Sequence, residues 1–88
     1  MTERAHLALI HTLRCVIHWN CYGERRNADE AHHIEFVRGP HSAWATVPLC
    51  KSCHEEMHEN RRRAFYRVHK IDDVKLLAWT IREISKND

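Results

Sequence analysis

The spacing of apolar positions alternates between the period of a helix and that of a strand, and the switches divide the chain. In TERAHLALIHTL, Leu7, Ile10 and Leu13 recur at helical spacing and Thr2 can cap the first turn, so a helix is expected over residues 1–14. CVIHWNCYGERRNAD loses that period and turns around Gly23. EAHHIEFV (30–37) is short, partly β-branched and bounded by turn residues, as a strand is; RGPHSA then makes a loop at Gly39-Pro40. WATVPL predicts a second strand ended by Pro48, and helical spacing runs from Lys51 to Glu59. RRRAFYRVH (61–69) is either a third helix or a bend in the second. A last helix opens at Asp72 and Asp73, whose charges suit its N-terminus, and Val74, Leu77, Ile81 and Ile84 form a stripe expected to face the core. The pattern predicts one small α+β domain over 1–88: an N-terminal helix (1–14), a strand–loop–strand–helix centre (15–60) and a helical tail (61–88).

Composition changes this picture in one respect. Eighty-eight residues with 43% hydrophobic content lie near the lower limit for a single apolar core, where a metal or disulfides commonly add stability. The four cysteines are the obvious staple. The opening run LALI is too short for a secretory signal, and no stretch approaches the roughly 18 apolar residues of a membrane span. A cytoplasmic chain without membrane contact is expected, and in that reducing compartment clustered cysteines bind metal more often than they pair. Net charge is only +2, but Arg61, Arg62, Arg63, Arg67 and Lys70 crowd into ten residues that contain no acid. Nine histidines in so short a chain call for a chemical explanation, since imidazole is both a metal ligand and a base near neutral pH.

Cys50 and Cys53 have the C-x2-C spacing of half a structural zinc site, and Cys15 and Cys21 offer a second, wider pair. Four thiolates would complete a tetrahedral site; the alternative puts His18 in place of Cys15 or Cys21. His54 points about 100° around a helix from Cys53, whereas His58 lies one turn beyond His54 on the same face, the i, i+4 spacing with which two imidazoles grip one ion. LCKSCHEEMH therefore serves two metals. His32 and His33, adjacent on a predicted strand, offer the third ligand and a group that reaches substrate.

DEAHHI followed by VPLCKSCHEEMH resembles the HNH, or His-Me finger, nucleases, most closely the small phage and prophage members related to the recombination-enhancement nucleases. The resemblance covers residues 15–58, and AFYRVHKIDDVKLLAW is more loosely similar to the helical tail of some members. It implies a ββα-metal core in which His32, His54 and His58 hold the catalytic ion and His33 is the general base. It also implies that Cys15, Cys21, Cys50 and Cys53 hold a structural zinc, and that DNA is cut to 5′-phosphate and 3′-hydroxyl ends. The asparagine that orients the base in the family is missing, because residues 34–53 contain none; Ala45 stands near its place, and His41 is assigned that role. An all-imidazole ligand set suits manganese, nickel, cobalt or zinc better than magnesium. Arg61, Arg62, Arg63, Arg67 and Lys70 are the expected phosphate contacts, with Arg25 and Arg26 secondary. Trp19, Trp44 and Trp79 are assigned to the core, and His6, His11 and His69 to ordinary helix or surface positions. The competing expectation is a non-catalytic zinc module that binds DNA or protein. The sequence sets no oligomeric state.

Overall fold

The computed structural model describes residues 1–34 and 42–86, the side chains of Glu59 and Asn60 excepted. The chain is a small α+β fold with the order α1 (Glu3–Thr12), α2 (Val16–Tyr22), β1 (Glu30–His33), β2 (Thr46–Leu49), α3 (Lys51–Glu56), a π-helical turn (Met57–Arg61), α4 (Arg62–His69) and α5 (Asp73–Lys86). Thr2 caps α1, its hydroxyl accepting from the Ala5 N–H at 3.1 Å, and Ile10 is fully buried. Among the described residues no helix is long and apolar enough to cross a membrane.

Short antiparallel pairing before and after α2 forms the knuckle. The Cys15 N–H donates to the Arg26 carbonyl at 2.7 Å and the Ala28 N–H to the Leu13 carbonyl at 3.1 Å. Gly23 ends α2 at φ 65°, a left-handed conformation that costs glycine nothing and turns the chain back. This closure fixes where the α2 side chains meet the start of α3.

Strands β1 and β2 pair antiparallel, with His32 opposite Val47 and His33 opposite Thr46. The second strand runs through Pro48 to Leu49 rather than ending at the proline. A two-stranded ribbon leaves each strand one unpaired edge, so a missing N–H is tolerated there. All four β2 residues are buried, and α1, α2 and α5 pack against the strand. Cys15, Val16, Ile17, Ile34, Leu49, Met57, Phe65 and Leu76 build the core around it. The expected strand residues 35–37 and the loop residues 38–41 lie outside the described residues.

Helix α5 departs from the expected stripe. Val74 and Ile81 are exposed, and the buried face is Leu76, Thr80 and Glu83. Glu83 is buried because Arg14 reaches it at 3.0 Å, while the same guanidinium lies 3.5 Å over the centre of the Trp19 ring. A purely apolar count misses a face completed by an ion pair and a threonine whose hydroxyl bonds back to the Leu76 carbonyl. Trp44 is half exposed rather than core and stacks at 4.9 Å on His6, which is itself buried.

The helix from Lys51 continues without a break into α4, the two halves joined by the π turn. Such a turn inserts one extra residue into the helical ladder, so the residues expected as a third helix or a bend in the second follow directly on from the second. Met57, at the start of the turn, and Phe65, beyond it on α4, are both buried.

Candidate metal centres

Among the described residues two groups of potential metal ligands converge, and they share no residue. The first is Cys15, His18, Cys50 and Cys53, with one ligand atom from each within 4.8 Å of the others. His18 Nδ1 stands 3.5 Å from Cys15 Sγ and 3.4 Å from both Cys50 Sγ and Cys53 Sγ. Cys15 Sγ and Cys53 Sγ are 4.0 Å apart. A tetrahedral zinc with Zn–S about 2.3 Å and Zn–N about 2.05 Å has S–N edges of about 3.5 Å and S–S edges of about 3.8 Å. The donor spacing fits, and these residues can hold a structural metal such as zinc.

The ligand set corrects the four-thiolate expectation. Cys21 is not a member; it sits half-buried on α2, and burial pushes its thiol up. The signal was present in the spacing, because Cys15 and His18 are separated by two residues, like Cys50 and Cys53, whereas Cys15 and Cys21 are separated by five. Electrostatics within the cluster favour a thiolate at Cys15. Hydrogen bonding between the Cys15 and Cys53 sulfurs holds the Cys15 pKa down at about 4, with His18 adding to the effect against burial, and pushes that of Cys53 up. A proton-sharing cluster of this kind is ready to exchange its protons for a cation.

The second group is His32, His54 and His58. Strand alternation turns His32 inward, where it is 2% exposed, and its ring centre lies 5.2 Å from that of His54 and 5.3 Å from that of His58. His54 lies on α3 and His58 one turn later in the π-helical turn, their Nε2 atoms 2.7 Å apart. Two nitrogens cis on a six-coordinate ion at about 2.1 Å would be about 3.0 Å apart. Burial, and secondarily the charge of His58, lowers the His54 pKa, which favours the neutral imidazole that ligation requires. Three ligands leave coordination positions open to water or substrate.

Glu30 completes this group and was missed in the sequence. Its carboxylate accepts from His54 Nδ1–H, which fixes the tautomer and leaves Nε2 for an ion. The available signal was strand periodicity: Glu30 and His32 are two apart and so share a face of β1. Replacing Glu30 with glutamine is expected to keep the fold, since the side chain is 40% exposed. It should weaken manganese or cobalt binding at the imidazole group by about 10–100-fold in isothermal titration. Unchanged affinity would show that the carboxylate does not tune His54.

The other expected residues are distributed as follows. His33 follows His32 on β1 and is half-buried. His41 lies outside the described residues. Arg61, Arg63, Arg67 and Lys70 are exposed and Arg62 is half-buried, all in or next to the helix that carries His54 and His58. His69, expected to be an ordinary surface histidine, bonds through Nδ1 to the Phe65 carbonyl at 2.9 Å and through Nε2 to the Tyr22 hydroxyl at 2.5 Å. Comparison with protein-family models, curated proteins and solved structures gives no match.

Proposed function

We propose that the chain is a metal-dependent DNA endonuclease of the HNH, or His-Me finger, kind, with β1, β2 and α3 as its ββα-metal core. The observation that carries this reading is the convergence of His32, His54 and His58 at a point separate from the sulfur cluster. A zinc module needs only one ion to hold its fold, and the cysteine–histidine group can supply it. A second group of three imidazoles, open on one side and backed by a carboxylate, has the donor set of a site that does chemistry.

In this reading His32, His54 and His58 would hold a divalent cation, which supplies Lewis acidity at a phosphate oxygen and at the departing 3′ oxygen. His33, the neighbour of His32 on the same strand, takes the proton from the attacking water as its oxygen bonds to phosphorus. The P–O3′ bond breaks, leaving a 5′-phosphate, and the 3′ oxygen acquires a proton from solvent. Glu30 holds the His54 ring in the ligating tautomer throughout. The exposed Arg61, Arg63 and Arg67 hold flanking phosphates, which gives affinity without sequence choice.

The test is nicking of supercoiled plasmid with manganese, nickel, cobalt, zinc or magnesium, wild type beside His33→Ala. The variant should keep zinc and fold and cut about 10²–10⁴-fold more slowly, the range for loss of a general base. Cutting at the wild-type rate would remove His33 from that role. A wild-type protein that cuts with none of these ions would favour the non-catalytic zinc module instead.

A further inference from the structure

On another side of the molecule, α2 meets the α4–α5 corner across a cleft of ≈ 420 Å³, and none of its lining residues is acidic. Its walls include Tyr22, His69, Lys70, Lys75 and Trp79. We propose that this cleft binds an unpaired nucleotide of single-stranded DNA, one base resting on the aromatic wall and its phosphate on the lysines. Only the choice of DNA rests on the nuclease reading; the nucleotide chemistry comes from the cleft.

The aromatic side of the site is already shaped. Tyr22 is 59% exposed, and its hydroxyl is held by His69, whose other nitrogen is held by the Phe65 carbonyl, so the ring is fixed while much of it stays exposed. Trp79 is half-buried against the core and lines the cleft from α5. The cationic side is equally fixed. Lys75 Nζ donates to the Lys70 carbonyl at 3.0 Å and sits 5.9 Å from the centre of the Trp79 ring, with two further ammonium hydrogens to offer. Lys70 itself is in the left-handed conformation, φ 55°, at the corner where α4 ends.

The nearby carboxylates do not line the cleft and have other hydrogen-bond partners. Asp72 caps α5 by accepting from the Lys75 N–H, and Asp73 accepts from the Tyr66 hydroxyl. The volume falls in the range of about 300–1,000 Å³ typical of small-ligand sites, too small for a duplex to enter. Fixed aromatic faces beside cations recognise bases that are free of their stack, because every base has a π-face and a duplex hides it. About 16 Å of helix separates His58 from His69 at 1.5 Å per residue, a distance that a few nucleotides of strand can bridge.

The experiment measures anisotropy of labelled octathymidylate without added exchangeable metal, so that no cutting is needed. Wild type should bind the single strand more tightly than an eight-base-pair blunt duplex. Lys75→Gln and Tyr22→Ala, both at exposed positions, should each lose about tenfold, and Lys75→Gln should reduce the salt slope by about 0.7. Arg4→Gln on α1 should bind as wild type. The Trp79 indole N–H resonance should move on saturation, a readout that does not depend on the variants folding. Wild-type affinity in both variants, an unmoved Trp79 resonance, or equal binding of the duplex would each overturn the proposal. A protein that binds the strand through this cleft but never cuts it would retain the site and remove the nuclease reading; cutting with an inert cleft would do the reverse.

Discussion

Cys53→Ser should leave the chain unfolded at neutral pH, while Cys21→Ser should fold and melt like the wild type. The contrast follows from the ligand set. Cys53 is a buried member of the cysteine–histidine cluster, and Cys21 is not in it. Binding of a structural zinc contributes roughly 10–16 kcal/mol in small zinc domains, whereas the net stability of a domain is about 5–15 kcal/mol. Loss of one thiolate therefore removes a contribution comparable to the entire folding free energy. Far-UV circular dichroism with a zinc count on the purified variants checks both halves. Normal melting of a zinc-free Cys53→Ser protein would refute the structural role, and loss of zinc in Cys21→Ser would restore the four-thiolate set.

The second large effect is expected at His58. His58→Ala should retain zinc and fold, because the side chain is exposed and its neighbour Met57 carries the core contact. On the nuclease reading it should lose the exchangeable ion at the imidazole group and lower plasmid cleavage by about 10³-fold or more, since the Lewis acid goes with the ligand. Protons compete with the ion for the same nitrogens, so occupancy in the wild type should fall as pH is lowered through the histidine range near about 6.5. The depressed pKa of His54 works in the opposite direction, keeping that ligand neutral to lower pH. Cobalt binding followed from pH 8 to pH 5 tests the sign; occupancy that rises on acidification would exclude imidazole ligation.

The antiparallel strand pair and the helices other than α2 were legible because periodicity reports which face is buried; Val16–Tyr22, read as lacking a helical period, forms a helix. The i, i+4 spacing of His54 and His58 put both on one helical face, and they lie together with His32. Four things were less visible. His18 takes the place given to Cys21 because the short antiparallel pairing of residues 13–15 with 26–28 closes the turn around α2, and the two-residue spacing of Cys15 and His18 was its trace in the sequence. Glu30 acts across two elements, and its partner His54 is 24 residues away. The α5 face depends on the Arg14–Glu83 pair, so a count of apolar residues pointed to Val74 and Ile81, which are exposed. Trp79 packs against the core as expected, and the cleft that it also lines exists only once α2 and α5 have met.

The cysteine–histidine cluster and the three-imidazole group are expected to hold separate ions. Cobalt titration of the metal-stripped, refolded protein, followed by electronic absorption, addresses this expectation most directly. Two equivalents are predicted: a tight one carrying thiolate-to-cobalt charge-transfer intensity, and a weaker one without it that disappears in His58→Ala while the first persists. A single equivalent, or loss of the thiolate signal when His58 is replaced, would contradict it.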